Sequence, residues 1–302
     1  MKQLLVRLWN RSVDYYLLLR DLFHCWIDFF YRKSCTPPYV ASIEDTISYI
    51  LQNNCSVSRL GDGEIKLVAG KDLGFQKYSE ELRQRMIEVL TFPIPNHIVC
   101  LPDIFQNLEQ YVPDASSHWK KHLSYYRKYW YRYINKDRLF FNAFISRCYM
   151  MFRNKSDALT HFQHLKQLWD RKDIIIVEGE KSRLGVGNDL FDNVCSIKRI
   201  LGPNVEAFQY YENIFQVINQ YPKSYLILLA LGPTATIMAY DLAKKGYQAI
   251  DIGHVDIEYE WFLMGATTKV PVPNKFVNEA GAGKGVGDII DVEYQSQIVC
   301  RF

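Results

Sequence analysis

Apolar residues along the chain form two kinds of pattern. Residues 173–177 and 225–230 are continuous apolar runs, which are typical of strands buried on both faces of a parallel sheet. Other segments carry apolar residues every three or four positions, as one face of an amphipathic helix does. Because strands and helices alternate from residue 173 onward, the pattern predicts right-handed βαβ units. We therefore expect an α/β fold, with a mostly parallel sheet flanked by helices.

Glycines, prolines and polar clusters set the bounds of the other predicted elements. We predict further strands at residues 55–60, 96–101, 205–209 and 247–251, and helices at residues 42–54, 79–90, 214–220 and 236–245. Residues 104–170 are predicted to be mostly helical. The turn-rich segment 182–189 is predicted to precede another helix.

Residues 1–33 are rich in aromatic and apolar side chains and predict an amphipathic helix. Charged residues such as Asp14 and Arg20 interrupt the segment, so it could not cross a bilayer at low cost. Two interpretations stay open: the helix packs against the body or a partner subunit, or it lies at a membrane surface. A proline-containing linker follows, so we expect an N-terminal helical extension at residues 1–40 and a globular domain at residues 41–302.

The composition is that of a folded protein with a full core. Of the 302 residues, 48% are hydrophobic and 23% are charged, which excludes a disordered chain. Lys and Arg number 36 and Asp and Glu 33, so the net charge of +3 does not indicate nucleic-acid binding. Seven cysteines without a C-x-x-C pair are typical of a reducing compartment. We expect a cytoplasmic protein without a zinc cage.

Rings and basic residues alternate at residues 125–133. Such a cluster could bind an anionic or sugar ligand, but a helix packed on its aromatic face explains the same pattern. We favour packing, because aromatic side chains prefer the core.

In a parallel sheet, ligands bind outside the carboxyl ends of the strands, so the residues after each predicted strand are the candidates for chemistry. Four such segments combine glycines with carboxylates or hydrogen-bond donors, namely residues 59–64, 178–189, 231–234 and 253–258. A purely structural turn would not require this combination.

Two carboxylates, Asp62 and Glu64, stand two positions apart beside Gly61 and Gly63. In a loop, both carboxylates could reach one hard divalent cation, while the glycines would let a diphosphate approach the backbone. An ordinary turn is the alternative, because Gly-Asp and Asp-Gly pairs are common in turns.

The same D-x-E spacing returns at Asp256 and Glu258, after His254. In an extended segment the two acids would share a face, as metal ligands or as a metal ligand and a base. Alternatively, Asp256 is simply the N-cap of the helix that follows.

Gly232 and Thr234 stand where a buried strand meets a helix. Free N–H groups at the helix start and the threonine hydroxyl could donate to a phosphate. A packing role is the alternative, since proline between them suits helix initiation. Arg59, Lys181 and Arg183 could neutralise a diphosphate, although each alone is more often a solvated charge.

Glycines recur at residues 281–287 around Lys284. The run lacks the preceding strand, the spacing and the Ser or Thr of a P-loop, so we exclude an ATPase. A glycine loop that closes over a ligand stays open, with Asn278 and Glu279 as candidate site residues.

Five segments together carry the glycines, carboxylates and donors described above. They are Arg59-Leu-Gly-Asp-Gly-Glu64, Val177-Glu-Gly-Glu with Ser182-Arg-Leu-Gly-Val-Gly-Asn-Asp-Leu-Phe191, Leu231-Gly-Pro-Thr-Ala235, Gly246-Tyr-Gln-Ala-Ile-Asp-Ile-Gly-His-Val-Asp-Ile-Glu-Tyr-Glu-Trp261 and Asn278-Glu279. In this order they resemble the GT-D-type glycosyltransferase family, formerly a domain of unknown function, over roughly residues 41–302. The resemblance implies a single Rossmann-like domain that binds a UDP-sugar with a divalent metal, usually manganese, through a D-x-E motif. It also implies a role in building bacterial surface glycans or glycosylating surface proteins.

The resemblance does not decide which D-x-E segment holds the metal. We favour Asp62 and Glu64 as ligands of Mn²⁺ or Mg²⁺, because the flanking glycines admit a diphosphate beside the cation. Asp256, Glu258 and Glu279 are then candidates for acceptor binding or for the general base that an inverting transfer needs. The residues expected to bind the nucleotide-sugar are Arg59, Gly61, Gly63, Arg183, Asn188, Gly232, Thr234 and His254.

Two other functions would use the same residues. A metal-dependent nucleotide-sugar hydrolase or phosphoesterase would direct the carboxylates at water. A non-catalytic nucleotide-binding protein would leave the acids without a role, and the many carboxylates at strand ends argue against it. The expected partners are a UDP-sugar donor and a glycan, glycoprotein or lipid-linked acceptor, with peripheral contact at the inner face of the cell membrane through residues 1–33 as an open alternative. The donor sugar, the acceptor, the stereochemical outcome and the oligomeric state stay open.

Overall fold

The computed structural model describes residues 2–135, 137–277, 279–280, 286–288 and 290–302, with the side chains described from residue 13 onward. Within these residues the strands are β1 Ser56–Arg59, β2 His97–Leu101, β3 Phe141–Asn142, β4 Asp173–Gly179, β5 Ser196–Gly202, β6 Leu226–Ala230, β7 Gln248–Asp251 and β8 Ile298–Arg301. The α-helices are α1 Lys2–Ser34, α2 Ile43–Asn53, α3 Asp62–Val68, α4 Glu80–Thr91, α5 Pro113–Tyr133, α6 Ala158–Gln167, α7 Tyr211–Ile218, α8 Pro233–Lys244, α9 Val255–Leu263 and α10 Val292–Gln297.

The strands form one parallel sheet in the order β3-β2-β1-β7-β6-β4-β5-β8. The apolar runs of β4 and β6 lie in its centre and are almost entirely buried, which confirms the predicted α/β fold. The chain builds outward from β1 through β2 to β3, crosses to β4, and returns to pair β7 with β1. This reversal of direction leaves a crevice above the carboxyl ends of the central strands, where doubly wound folds bind ligands.

Parts of the predicted secondary structure are wrong in the middle of the chain. The described residues of this segment, 134–135 and 137–157, are not α-helical but form β3, a short 3-10 helix at 143–146 and irregular backbone. Tertiary hydrogen bonds decide this segment, because the Asn142 N–H donates to Thr46 of α2 (2.9 Å) and the Asn142 amide caps the 3-10 helix. Tertiary contacts of this kind override a local helical pattern.

Two further predictions are wrong on the far side of the sheet. No helix follows the turns at 182–189 in the described residues, and residues 207–210 form a 3-10 helix instead of the strand predicted at 205–209. The strand in this part of the chain is β5, Ser196–Gly202. The apolar pattern did not reveal it, because β5 contains the charged residue Arg199. That arginine is buried in an ion pair with Glu178 of β4 (2.6 Å) and also donates to Gln297 of α10 (2.7 Å). The short elements α10 and β8 were likewise not predicted.

Helix α1 lies against α5. The Asp28 carboxylate pairs with Arg127, Tyr125 donates to Asp21, and the His24 ring lies 4.2 Å from the Tyr125 ring. The basic and aromatic cluster on α5 thus packs against α1 and the core, as the packing interpretation predicts. No helix in the described residues is long and apolar enough to cross a membrane.

Candidate functional site

A cavity of about 690 Å³ opens above the carboxyl ends of β1, β4, β6 and β7. Ten of the predicted site residues line it, namely Arg59, Gly61, Asp62, Gly63, Glu64, Gly232, His254, Asp256, Glu258 and Glu279. Residues from four separate segments therefore meet in one place, and three of these segments follow parallel strands that end at the same edge of the sheet.

The floor of the cavity is an ion pair between neighbouring strands. The Arg59 guanidinium donates to the Asp251 carboxylate (2.8 Å) and to the backbone oxygens of Asp251 (2.7 Å) and Ala143 (3.2 Å). Burial raises the pKa of Asp251, while Arg59 favours its charged form. Gly253 gives the guanidinium room, because a Cβ there would lie 2.0 Å from Nη2. Arg59 is therefore held in place before any ligand arrives.

Helix α3 begins at Asp62, so the Gly-Asp-Gly-Glu segment is the first turn of a helix and not the predicted loop. Glu64 Oε2 accepts a hydrogen bond from the Gly61 N–H (2.7 Å), as in a capping box. This bond holds the carboxylate at the helix start, beside the cavity. Burial raises the pKa of Glu64 to about 7.

Asp62 has two cationic or polar partners on the same side of the cavity. Its Oδ2 accepts a hydrogen bond from Lys66 Nζ (2.6 Å) and lies 3.5 Å from His118 Nε2. Desolvation opposes ionisation, but His118 and Lys66 outweigh it and hold the pKa of Asp62 well below its usual range. Asp62 is therefore a carboxylate anion at the edge of the cavity.

The second D-x-E segment also starts a helix, since α9 begins at Val255 and His254 occupies the N-cap position instead of Asp256. Both acids are buried. Glu258 Oε2 accepts from the N–H groups of Tyr149 (3.1 Å) and Met150 (2.8 Å). Burial raises the pKa of Glu258, so its carboxyl group is a better proton acceptor than an exposed glutamate.

Asp256 is committed to structural contacts. Lys275 Nζ donates to both of its oxygens (2.9 and 2.8 Å). Its Oδ1 also accepts from the Gly185 N–H and the Asn188 amide (2.8 Å each). Asn188 itself binds a second acid, Glu260 (2.7 Å). This network fastens the turns after β4 to α9.

Glu279 belongs to a charged cluster over the cavity. Arg147 donates to Oε1 (2.7 Å) and Lys269 to Oε2 (2.6 Å). Desolvation acts against ionisation, yet Arg147, His254 and Lys269 hold the pKa of Glu279 below its usual range. Arg147 also donates to His254 Nδ1 (3.0 Å), and burial with this cation lowers the pKa of His254 to about 3. The imidazole is therefore neutral near pH 7.

Three predicted binding residues do not line the cavity. Asn188 serves the Asp256 network, and Arg183 donates to the backbone oxygens of Asn274 (2.7 Å) and Gly287 (2.6 Å). Thr234 is fully buried, and its hydroxyl has no hydrogen-bond partner among the described residues. At this helix start the cavity is lined by Gly232 instead.

Sequence reasoning missed Asp251, Arg147, Lys269 and His118, which all line the cavity. Asp251 ends a correctly predicted strand, so the rule of strand ends could have found it. Arg147 lies in the irregular segment that was predicted to be helical, and no local pattern marks it. Asn278 and residues 281–285, including Lys284, lie outside the described residues.

Comparison with known proteins bears on this site. Residues 57–280 match the family model described as glycosyltransferase GT-D fold. A glycosyltransferase GlyD from Streptococcus pneumoniae and a probable glycosyl transferase Gly from Streptococcus gordonii are each 42% identical over 263 residues, or 87% of this chain. The chain spans about a third of the length of these curated relatives, 32% and 38%.

Solved structures are similar over nearly their whole length. A domain of unknown function 1792 with a distinct glycosyltransferase fold superposes with a TM-score of 0.87 at 42% identity, covering 91% of this chain and 99% of that one. A new glycosyltransferase of the same domain type from Streptococcus sanguinis superposes with a TM-score of 0.85 at 41% identity, covering 88% and 99%.

Proposed function

Because the chain belongs to the GT-D-fold glycosyltransferase family, we propose that it transfers a sugar from a UDP-sugar to a glycan or glycoprotein acceptor with the help of a divalent cation, Mn²⁺ or Mg²⁺. The product would enter bacterial surface glycan synthesis. The observation that supports this proposal best is the meeting of Asp62, Glu64, Gly232 and Glu258 around one cavity at the sheet switch point.

The donor set of α3 suits a hard divalent cation. Oδ1 of Asp62 and Oε1 of Glu64 have no partner side chain within hydrogen-bond distance in the part of the chain that the structure describes. No group of three or more His, Cys, Asp or Glu side chains among the described residues is arranged to hold a metal. Mn²⁺ and Mg²⁺ sites built from one or two carboxylates plus substrate phosphates need no larger protein cluster. When bound, the cation would stabilise the negative charge of the departing UDP.

We assign the metal site to α3 and not to α9. Asp256 already has both oxygens occupied by Lys275, and Glu258 is bonded to two backbone N–H groups. A cation bound to Asp256 would have to displace Lys275, which contacts both of its oxygens. Asp62 and Glu64 would bind it without such a loss.

Glu258 is the residue that we propose as general base. It lines the cavity, and its raised pKa suits acceptance of a proton from the acceptor hydroxyl during an inverting transfer. Glu279 is less suitable, because Arg147 and Lys269 hold it as a stable anion. We assign Glu279 to the positioning of Arg147 at the cavity.

The donor would lie along the cavity, between the start of α3 and the start of α8. The free N–H groups at the start of α8 and the Arg59 guanidinium would face the diphosphate. Gly232 has a φ of +54°, and a Cβ there would lie 3.0 Å from the Phe75 ring. A glycine at this position therefore lets a ligand reach the backbone between the helix and the ring. Phe75 and Phe276, both in the cavity wall, offer apolar faces to a nucleobase.

Calorimetric titration tests this function. The protein is titrated with UDP, ADP and GDP, each with and without Mn²⁺. We expect UDP-selective binding that requires the metal. Binding without uridine preference, or without a metal effect, would contradict the proposal and favour a hydrolase or a non-catalytic nucleotide-binding protein. Release of free sugar from UDP-sugars at the same rate with and without acceptors would favour the hydrolase.

We further propose that α1 and α5 bring the enzyme to an anionic membrane surface. The outer face of α1 exposes large apolar side chains, including Trp26 (59% exposed) and Phe30 (50%). The two helices hold 11 Lys and Arg against 4 Asp and Glu, a net charge of +7, whereas the whole chain carries only +3. A surface with exposed aromatic rings and a local positive charge suits the interface of an anionic bilayer, and its charge opposes self-association.

A further inference from the structure

A second cavity, called the groove below, lies between α1, α3 and α5. It lies beside the cavity of about 690 Å³ in which we place the donor, which is called the donor cavity. The groove has a volume of about 280 Å³, and its lining includes Arg20, Lys66, Lys121, His122 and Tyr126. Three of these side chains are cations contributed by three different helices, and the described lining contains no acidic residue. A groove of this kind attracts an anion.

The three cations differ in how far they are already neutralised. Lys66 pairs with Asp62 (2.6 Å) and Arg20 with Asp21 (3.1 Å). Lys121 is exposed and forms no ion pair with any residue that the structure describes. The groove therefore keeps a net positive charge, which comes mainly from the side chain of Lys121.

The buried ring of His122 lies in the same wall. Its Nε2 accepts a hydrogen bond from the Trp130 indole (3.1 Å), and burial lowers the pKa of His122 to about 3. The neutral ring therefore carries its proton on Nδ1. That atom is buried and has no hydrogen-bond partner among the described residues, which is costly for a polar group unless a ligand pairs with it.

The groove borders the donor cavity. Lys66 and His118 line both, whereas Lys121, His122 and Tyr126 line only the groove. Asp62, the proposed metal ligand, bonds to the two shared residues. An anion in the groove would therefore lie directly beside the donor.

We propose that the groove binds a phosphate group carried by the acceptor, and so places the acceptor next to the donor sugar. This inference rests on the proposed transferase function and adds the chemical class of the acceptor. Cations that converge from three separate helices suit the three oxygens and the double charge of a phosphate better than a single carboxylate. A phospholipid headgroup has the same chemistry, so the experiment must separate the two sources.

The test titrates the full chain, saturated with UDP and Mn²⁺, with α-glucose 1-phosphate as a phosphate probe and glucose as its neutral control. We expect the sugar phosphate to bind and glucose not to bind. Lys121→Ala should weaken the sugar phosphate at least about fivefold, the usual loss of a charge-assisted hydrogen bond. Lys120→Ala, which removes an exposed lysine outside the groove, should change it less than about twofold. Both residues are exposed on α5, so neither variant should unfold the protein.

A parallel measurement uses phosphatidylglycerol vesicles. If the groove serves the acceptor, Lys121→Ala should lower vesicle binding no more than Lys120→Ala does. A selective loss of vesicle binding in Lys121→Ala, with sugar phosphate binding intact, would show a headgroup site and overturn the inference. Equal sugar phosphate affinity in Lys121→Ala and the unaltered chain would also overturn it. If the protein binds UDP but not the sugar phosphate, the acceptor inference is refuted and the proposed transferase function stands. If it binds the sugar phosphate but not UDP, both the proposed function and the acceptor inference are refuted.

Discussion

The Arg59 guanidinium at the end of β1 donates to both the carboxylate and the backbone oxygen of Asp251 at the end of β7. The ion pair joins β1 and β7, the neighbouring strands at which the order of strand addition reverses, and it forms the floor of the donor cavity. Because Asp251 is only 3% exposed, its charge depends on Arg59 for compensation.

Loss of Arg59 should therefore destabilise the fold as well as the site. We expect Arg59→Gln to lower the free energy of unfolding by about 3 kcal/mol, because it leaves a buried carboxylate unpaired. The double variant Arg59→Gln/Asp251→Asn should recover a substantial part of this loss. Urea unfolding of the three proteins measures both effects. Equal stability of the single variant and the unaltered chain would show that the ion pair contributes nothing.

The metal assignment predicts that removing either carboxylate of α3 abolishes metal-dependent nucleotide binding. Asp62→Asn and Glu64→Gln should each abolish Mn²⁺-dependent UDP binding, since each removes an anionic ligand. Glu81→Gln, an exposed acid at the start of α4, is the matched control and should bind normally. Calorimetry with and without Mn²⁺ makes the comparison. Normal binding by both α3 variants would move the metal site elsewhere.

The base assignment predicts a separation of binding from turnover. Glu258→Gln should bind UDP and Mn²⁺ within about twofold of the unaltered chain, because the amide oxygen can still accept from Tyr149 and Met150. Its kcat for sugar transfer should fall by about 100-fold or more. Steady-state kinetics with an identified donor and acceptor gives both values. If Glu279→Gln shows this behaviour and Glu258→Gln does not, Glu279 is the base.

Acid should destabilise the protein partly through His97, the first residue of β2, which lies at the opposite end of the strand from the cavity. The His97 Nε2 shares a hydrogen bond with Ser58 Oγ (2.8 Å), and the Ser58 hydroxyl donates to the Thr236 carbonyl (2.6 Å). The ring therefore donates from Nε2. Burial lowers the pKa of His97 to about 3, below the 6.5 expected in the unfolded chain.

A lowered pKa means that only the unfolded state takes up this proton between pH 6.5 and 3. The contribution of neutral His97 to stability is thus complete above pH 6.5 and is lost as the pH falls, by about 2 kcal/mol between pH 7 and 5. His97→Gln should flatten this slope by about one proton. Chemical unfolding across this pH range measures the slopes. Parallel slopes for the unaltered chain and His97→Gln would refute the prediction.

The proposed membrane surface predicts a loss of vesicle binding when its rings are removed. Trp26→Ser/Phe30→Ser should bind phosphatidylglycerol vesicles at least about tenfold more weakly, because each ring that enters an apolar environment contributes about 1.5–3 kcal/mol. Tyr39→Ser removes an exposed ring (61%) outside α1 and serves as the control. Binding should also weaken with salt and with neutral phosphatidylcholine. Equal binding to both lipids, or no effect of the double variant, would contradict a membrane role for α1.

The sequence alone predicted the elements whose local pattern is strong. The sequence revealed β4 and β6 because each is a continuous apolar run. It revealed α2 and α4 because their apolar residues recur every three or four positions. Strand β5 was missed because it contains a charged residue, Arg199. This arginine is buried in an ion pair with Glu178 of β4, which neutralises its charge. A single segment does not reveal such a partner.

The same distinction holds for the site. The sequence determined which residues follow the strands, because glycines and carboxylates mark these places locally, and the parallel sheet brings their ends together. Only the tertiary structure decided which of them face the cavity. Asp256 and Asp62 share one motif and both line the cavity, yet Lys275 contacts both oxygens of Asp256, whereas Lys66 contacts only Oδ2 of Asp62. Residues distant in sequence provide these partners, and they set the burial and charge that separate a structural carboxylate from one free to bind a ligand.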